Sequence, residues 1–584
     1  SKIKSHMVMV GFKILIPCAL PVLAASFFIH PTTRSDPFIA KRTNVRSSRD
    51  VVRASYSDGI PPSPAERSLA VNLDPSFYGS FAEIGAGQEV SRYFLRAGAA
   101  AGTVARSVSA YDMKVSDRMY GESSRYVTQE RMMQMIEQEY KEVEGTLREV
   151  KGPDCRFFSF ASTIAAKAYM SDRECEAYIG IMYQKEAGAE LSTVWLHARM
   201  TDSTAELQGD ALGVLGANLV YLVSKAEHDE KTIIKNLMAD INPGRLTVNW
   251  VGFEGAGWDV DSRLCALWLV QYGLTEAVLF QPEDERAVLG NRWFKATVPN
   301  LAFYKRPILV QRGRFRFVTK SNEAIFQSGL AKLKSDTGHD SKKTREPLSV
   351  VELMITPFGN SDKALSYDAP KEAEKDFISR FNVLSSLRKP ILISGLGEMH
   401  TLATYMSRYT NEQIVIAVGG GSYSLDRGIC SDRECQGLKG GLLEAFGRLF
   451  AKGVKLYVFP NISPDGKVTS CVEKSASSME KETLLSHLRA TSKLVPIENK
   501  FIPEIVLNET TNQPFRGETQ QVLDMICKFD AGWKELVPED VVSVVNEKGI
   551  GEVFSMGSLK GSSSGGAAAV SALEQCAYDF HDAN

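Results

Sequence analysis

The sequence has almost no excess charge and few cysteines. Its formal net charge is −2 over 584 residues, which removes the strongest argument for a nucleic-acid partner, because domains that bind nucleic acid usually carry a basic excess. Nine cysteines in so long a chain are not a disulfide framework. The closest pair, Cys430 and Cys435, lies in "CSDREC", which lacks the spacing of a zinc knuckle and has no histidine nearby.

The sequence also lacks several motifs of catalytic sites. No Walker A loop, H-E-x-x-H pair or EF-hand loop is present, which disfavours P-loop kinases, zinc proteases of that type and EF-hand calcium binding. Hydrophobic residues make up 44% and charged residues 24%, as in ordinary globular proteins, so a membrane protein is not indicated. A chain of this length predicts two or more domains.

The N-terminal residues are typical of targeting segments. Residues 1–26 include "MVMVGFKILIPCALPVLAAS", an apolar stretch that two prolines interrupt and that is too short to span a membrane, which indicates a signal peptide. Residues 27–75 are rich in arginine and contain a Pro/Ser stretch, which indicates a transit peptide and a linker. Together they resemble the bipartite leader of algae with secondary red plastids. We therefore expect the plastid stroma, with secretion as the alternative.

The alternation of strands and helices predicts an α/β fold with largely parallel sheets, flanking helices and two α/β blocks. The N-terminal domain is predicted at 76–330 with a helical lead-in, and its clearest helix follows Thr128, which can cap it. A second lead-in helix is predicted from Gln88 to Tyr111. The two blocks share an element order, which is compatible with an internal duplication.

The remaining chain divides by composition. The polar stretch 331–350 is predicted to be a linker or lid. Residues 351–545 alternate strands and helices and are predicted to form a Rossmann-like α/β domain. The low-complexity stretch 546–584 is predicted to be a flexible tail.

The segment "PILISGLGEMHTLATYM" has the most informative motif context. A strand is followed by Gly395, Gly397 and His400 and then by a helix, which is close to the dinucleotide fingerprint G-x-G-x-x-G. The third glycine is replaced by His400, so a standard NAD site is not expected. The turn and helix start still favour an anion such as phosphate, and the positive helix end favours a neutral His400 that could be catalytic or simply structural.

The next strand leads into "VGGGSYSLDRG". We predict that this stretch forms the facing wall of a ligand pocket, with an arginine to neutralise charge, although a plain flexible turn is the alternative. The predicted wall residues are Gly419, Gly420, Gly421, Ser422 and Arg427.

Two further segments are candidate sites. In "EIGAGQEVSRYFLR", a glycine turn at Gly85 and Gly87 precedes a helix with Arg92 and Arg96, which could bind one anion or form a solvated surface. In "VGFEGAGWDVDSR", carboxylates lie between a strand and a helix, so they are candidate Mg²⁺ ligands or helix caps. The candidate metal ligands are Asp259 and Asp261.

Segments such as "FAEIGAGQEVSRYFLRAGAAAGTVARSVSAYDMKVSDRMYG", "LGVLGANLVY" and "LLEAFGRLF" resemble a poorly characterised family of bacterial and cyanobacterial proteins. Its members often carry the labels nicotinate-nucleotide adenylyltransferase or TonB-dependent receptor. The first label implies adenylyl transfer with ATP and Mg²⁺, although the paired histidines of such enzymes are missing. The second requires a membrane β-barrel, which the α/β pattern contradicts.

Two hypotheses follow from the sequence. The first is a plastid α/β enzyme that binds a nucleotide or another phosphorylated metabolite at strand ends, with nucleotidyl transfer as its specific version. The second is a non-catalytic assembly, scaffold or regulatory protein. Homo-oligomers or protein partners are compatible with both, whereas nucleic acid and stable membrane insertion are not expected.

Overall fold

The computed structural model describes residues 63–85, 88–168, 175–283, 294–315, 317–338, 345–355, 371–419, 430–462, 468–469, 479–501, 518–528 and 530–548. The predicted signal peptide, residues 27–62 of the predicted transit peptide and linker, and most of the predicted tail lie outside these residues. Residues 63–75 of the predicted linker are described and include the helix Pro64–Asn72. Within them, no helix has the length and apolar character needed to cross a membrane.

Two sheets organise the described chain, and the first contains six strands. These are β1 (Phe77–Ile84), β2 (Val104–Val108), β3 (Arg156–Ala165), β4 (Cys175–Gln184), β5 (Leu191–Met200) and β6 (Leu246–Gly255). The accompanying helices are α1 (Pro64–Asn72), α2 (Glu89–Ala97), α3 (Met113–Tyr120), α4 (Gln129–Lys151), α5 (Ala205–Ser224), α6 (Glu230–Asn236) and α7 (Ser262–Gln271).

The first sheet is mixed, with strand order β2-β1-β3-β4-β5-β6. Strands β2, β1 and β3 are parallel, whereas β3 to β6 pair antiparallel. The chain passes from β4 to β5 by a short connection, which permits only antiparallel pairing. The prediction of largely parallel sheets therefore does not describe this sheet.

Helices cover both faces of the first sheet. The predicted helix after Thr128 is confirmed as α4, whose first turn receives a side-chain cap from that threonine. Its apolar stripe includes Met132, Met135 and Ile136, which are fully buried. The other predicted helix ends early: α2 stops before Gly98, which has a φ of 90°, and the chain then forms β2 instead of continuing to Tyr111.

The second sheet contains eight strands. These are β7 (Ala277–Pro282), β8 (Phe294–Thr297), β9 (Ile308–Gly313), β10 (Leu348–Met354), β11 (Ile391–Ser394), β12 (Ile414–Gly419), β13 (Lys455–Phe459) and β16 (Leu494–Pro496). A separate ladder joins β14 (Asn461–Ile462) and β15 (Val468–Thr469). The helices are α8 (Pro299–Phe303), α9 (Lys320–Thr337), α10 (Lys371–Ser385), α11 (Met399–Met406), α12 (Gly441–Phe450), α13 (Met479–Ala490), α14 (Glu518–Cys527) and α15 (Glu539–Lys548).

Six strands of the second sheet are parallel and run in the order β11-β10-β9-β12-β13-β16. Numbered along the chain, this is the order 3-2-1-4-5-6 of Rossmann-type sheets. Strands β7 and β8 extend the sheet beyond β11 by antiparallel pairing. The prediction of a parallel sheet with flanking helices is therefore confirmed here. The two sheets differ in strand order, so the internal duplication finds no support.

The division between the sheets differs from the predicted domain boundary. Strands β7 to β9 belong to the second sheet, although they precede residue 330. Helix α9 packs against the same sheet and continues past residue 330. The predicted linker at 331–350 begins inside α9 and ends inside β10, while residues 339–344 lie outside the described part. Helix α7 packs against both β6 and β11, so one hydrophobic core continues from the first sheet to the second.

Candidate functional site

The candidate site lies at the carboxyl edge of the second sheet. Strands β9 and β12 are direct neighbours, but the chain continues from β9 towards β10 on one side and from β12 towards β13 on the other. Loops therefore diverge at this point and leave a crevice, which is where open α/β sheets bind ligands.

A buried arginine lies at the end of β9. The side chain of Arg312 is only 7% exposed, and its Nε lies 3.1 Å from Oε2 of Glu352 on the adjacent strand β10. Its Nη2 donates to the carbonyl oxygen of Leu396, in the turn after β11. Ser394 at the end of β11 donates to Oε1 of Glu352 at 2.6 Å. Three neighbouring strand ends are thus joined by one polar network.

The Arg312 guanidinium has more donors than this network uses. Its Nη1 is buried and has no hydrogen-bond acceptor among the residues that the structure describes. Leaving a buried donor unpaired costs about 1–3 kcal/mol, so such groups usually mark a bound ion, water or ligand. The free donor lies beside the point where the strand order reverses.

Glu352 has a defined place in the Rossmann order. It is fully buried near the end of the second strand, where dinucleotide enzymes present an acid to the ribose hydroxyls. Burial raises the pKa of its carboxyl, and the nearby Arg312 guanidinium opposes that shift. Because the carboxylate pairs with Arg312 and Ser394, it is not presented to a ribose, and a standard NAD site is disfavoured for this reason.

The turn of Gly395, Gly397 and His400, which resembles the dinucleotide fingerprint, does not follow the first strand of the Rossmann order. It follows β11, and Gly419 lies at the end of β12. In the structure β11 is the third parallel strand and β9 is the first. Gly419 instead lies next to the end of β9, on the opposite side of the crevice from Glu352. Gly420, Gly421, Ser422 and Arg427 lie outside the described residues.

The turn before α11 contributes the second part of the site. Gly395 packs closely, because an added Cβ would lie 2.9 Å from Cγ1 of Val270, whereas Gly397 faces open space. The first helical amide, that of Met399, donates to Oε2 of Glu434 at 2.7 Å. The predicted anion position at this helix start therefore holds a carboxylate of the protein itself.

His400 lies in the first turn of α11 and is buried at 8% exposure. Burial lowers the pKa of its imidazole, an effect that the nearby Glu398 carboxylate partly opposes. The lowered pKa agrees with the expectation of a neutral histidine. Its main cause is burial rather than the positive helix end. His400 and Glu434 together line a small cavity, whose other walls are Met399, Ala445, Phe446 and Leu449.

The candidate anion site of the first sheet has a different structure. Glu83 on β1 accepts hydrogen bonds from the amides of Val90 and Ser91, at 3.0 and 2.9 Å, so the start of α2 is already occupied. Gly85 has a φ of 114°, and an added Cβ would lie 2.2 Å from the Ile164 carbonyl oxygen. Its role is close packing, and Gly87 lies outside the described part.

The two arginines of that segment are on the surface. Arg92 pairs with Glu89 on its own helix at 2.9 Å, and Arg96 is exposed. They belong to the first sheet, whereas His400 belongs to the second. The structure therefore supports the solvated-surface interpretation for Arg92.

The proposed magnesium ligands lie between β6 and α7. Asp261 caps α7 through the amide of Arg263 at 2.9 Å and also pairs with the guanidinium of that residue. The capping interpretation is thus confirmed for Asp261, while Asp259 is exposed. Across the described ranges, no group of three or more His, Cys, Asp or Glu side chains could hold a metal ion.

Sequence reasoning did not identify Arg312, Glu352 or Glu434 as site residues. A signal for the first two was present: each is a charge inside a run that otherwise reads as a buried parallel strand, "ILVQRG" and "LSVVELM". Glu434 lies in "CSDREC", a stretch considered only for its cysteines. Its contact with α11 depends on tertiary packing and leaves no local pattern.

The sequence matches no protein-family model and no curated protein. Among solved structures, a competence/damage-inducible protein from Agrobacterium tumefaciens is 15% identical and covers 28% of this chain and 98% of its own, with a TM-score of 0.22. The chain is also similar to a competence or damage-inducible protein from Enterobacter asburiae, which is 11% identical and covers 28% of this chain and 98% of its own, with a TM-score of 0.21. A CinA superfamily protein from Enterobacter cloacae is 13% identical and covers 29% of this chain and 96% of its own, with a TM-score of 0.22. These similarities do not establish a family.

Proposed function

We propose that this chain binds a nucleotide or another small phosphorylated metabolite at the carboxyl edge of its second sheet, and that it is an enzyme. The observation that carries the proposal is Arg312, a buried guanidinium beside the strand-order reversal whose Nη1 has no acceptor among the described residues. Arginine binds phosphate through two parallel hydrogen bonds, so a free Nη1 at this point suits a phosphate oxygen.

The other groups of the site fit this assignment. Burial lowers the pKa of His400 and so favours the neutral imidazole, which can donate a hydrogen bond to a ligand without charge repulsion from Arg312. The specific version is nucleotidyl transfer to a pyridine mononucleotide with ATP and Mg²⁺, which rests only on the sequence resemblance. The candidate magnesium ligands of that version, Asp259 and Asp261, lie in the connection after β6, where Asp261 already caps α7 and pairs with Arg263.

Ligand-dependent thermal unfolding tests the proposal. ATP, nicotinate mononucleotide and a sugar phosphate are each added to the full chain, and we expect at least one to raise the melting temperature. A ligand at about 100 times its dissociation constant adds about 2.7 kcal/mol to the free energy of unfolding. Arg312→Lys keeps the charge but loses the planar fork, so the ligand-induced shift should largely disappear.

The matched control is Arg92→Lys, an exposed arginine of the first sheet. It should show the same ligand-induced shift as the wild type. If none of the three ligands changes the melting temperature of the wild-type chain, the proposed function loses its support.

One observation favours the alternative of a non-catalytic assembly factor. Tyr111, Met113 and Val115, around the start of α3, are 76%, 62% and 50% exposed, and exposed apolar groups of this kind are typical of protein-binding surfaces. In a complementation assay, His400→Ala should retain full activity if the protein is a scaffold. It should lose activity if His400 takes part in catalysis.

A further inference from the structure

We propose that Glu434 is a built-in occupant of the anion position at the start of α11, and that the phosphate of the ligand binds by displacing it. The inference rests on the proposed function, since it names the atoms with which a phosphate would compete. It assigns to Glu434 an autoinhibitory contact rather than a structural cap.

The contact between Glu434 and α11 joins two separate parts of the chain. Glu434 belongs to a single 3-10 turn, Asp432–Cys435, in the connection between β12 and α12. Its Oε2 accepts the Met399 amide at 2.7 Å, and the neighbouring Arg433 donates to the Gly397 carbonyl oxygen at 3.4 Å. The carboxylate therefore lies at the positive end of the helix, where a phosphate would be stabilised.

Arg312 is the independent sign that this position belongs to a ligand. Its guanidinium reaches the same turn by donating to Leu396, and its positive charge acts on both Glu434 and His400. Its buried Nη1 still has no acceptor within the described ranges. An incompletely paired arginine therefore borders the turn whose helix start Glu434 occupies.

The charged groups around the position favour a strongly anionic ligand. Arg312 and Arg433 attract an anion, whereas Glu398 repels it and raises the pKa of Glu434 further beyond the main effect of burial. A phosphate monoester carries close to two negative charges and three acceptor oxygens, so it can accept from Met399 and Arg312 together. We therefore infer that the ligand presents a terminal phosphate rather than a single carboxylate.

A comparison within the molecule shows why Glu434 can be displaced. Glu83 occupies the start of α2 in a similar manner, but it lies on a strand, is 2% exposed and accepts two amide hydrogen bonds. Glu434 accepts one amide and lies partly buried in a short turn. Glu83 is therefore a permanent cap, and Glu434 is the weaker of the two.

Sulfate binding to the full chain tests the inference, because sulfate keeps the same charge near neutral pH. Its affinity is measured by calorimetry for the wild type, Glu434→Ala and Glu434→Gln. If the internal contact is formed about nine times in ten, removing it raises the affinity for sulfate about tenfold. Glu434→Gln retains an acceptor for Met399 but not the charge, so an intermediate affinity is expected.

Asp432→Ala is the matched control, since it removes one exposed negative charge from the same turn. Its affinity should equal that of the wild type. Sulfate binding is also measured for Arg312→Lys. If the wild type and both Glu434 variants bind sulfate with equal affinity, displacement is overturned. If Arg312→Lys has lost sulfate binding in the same series, the proposed function remains intact. If no variant binds sulfate, inorganic phosphate or ATP, the proposed function fails as well. Melting curves identify any variant that does not fold. If Glu434→Ala does not fold, the comparison of sulfate affinity between Glu434→Gln and the wild type tests the inference.

Discussion

At the scale of single residues, the pair of Arg312 and Glu352 raises the question of why a charge is buried in a parallel sheet. Both side chains lie inside strands that are otherwise apolar, and Glu352 is fully buried. Desolvation of two charges usually cancels most of their attraction, so such a pair is weak evidence for stability. Retention for ligand binding is the simpler explanation.

A double substitution distinguishes these roles. Glu352→Gln leaves Arg312 buried without a counter-charge, so we expect a loss of about 3–5 kcal/mol in the free energy of unfolding. Replacing both residues, Arg312→Met with Glu352→Leu, should restore most of the stability, since no unpaired charge is left. Urea denaturation measures all three proteins. A double variant that is stable yet shows no ligand-induced shift supports a functional role, whereas one as unstable as Glu352→Gln would show that the pair is structural.

At the scale of elements, strongly patterned segments were predictable and their partners were not. The helix after Thr128 follows from the helical spacing of its buried apolar side chains, and the strand β12 follows from an uninterrupted apolar run. The helix predicted from Gln88 to Tyr111 extends too far, because the positive φ of Gly98 ends α2 and lets the chain turn towards β2. The position of β9 as first strand depends on long-range pairing, which no local pattern encodes.

The contact between Glu434 and α11 also predicts a dependence on pH. Burial raises the pKa of Glu434 above that of an unfolded glutamate. Between the two values the folded state keeps a proton that the unfolded state has lost, so the free energy of unfolding falls as the pH rises through this window. Glutamine does not titrate. The stability of the wild type minus that of Glu434→Gln should therefore decrease as the pH rises above the pKa of an unfolded glutamate, about 4.3.

Urea midpoints of the two proteins at a series of pH values measure this difference. His400 and the other ionisable groups are common to both proteins, so their own contributions largely cancel. A difference that stays constant with pH would show that Glu434 titrates normally and is solvated in the folded protein.

At the scale of the whole molecule, strand pairing rather than sequence composition divides the chain between the two sheets. The polar stretch at 331–350 looked like a linker, yet it includes the end of α9 and the start of β10. Strands β9 and β10 pair directly across it. A loop rich in charge is exposed for the same physical reason whether it separates domains or connects neighbouring strands, so composition alone could not locate the boundary.

Two fragments with the same N-terminus test the observed division. The fragment 63–330 ends inside α9 and leaves β9 without β10 and β12, its partners on either side. The shorter fragment 63–271 ends after α7 and contains every strand of the first sheet. We therefore expect the shorter fragment to unfold cooperatively and the longer one to aggregate or to melt without a clear transition, because unpaired parallel strands expose apolar surface and open edges. Circular dichroism melting and size-exclusion chromatography compare the fragments. Cooperative unfolding of a monomeric 63–330 fragment would show that the first sheet extends its folding unit to residue 330, as composition suggests.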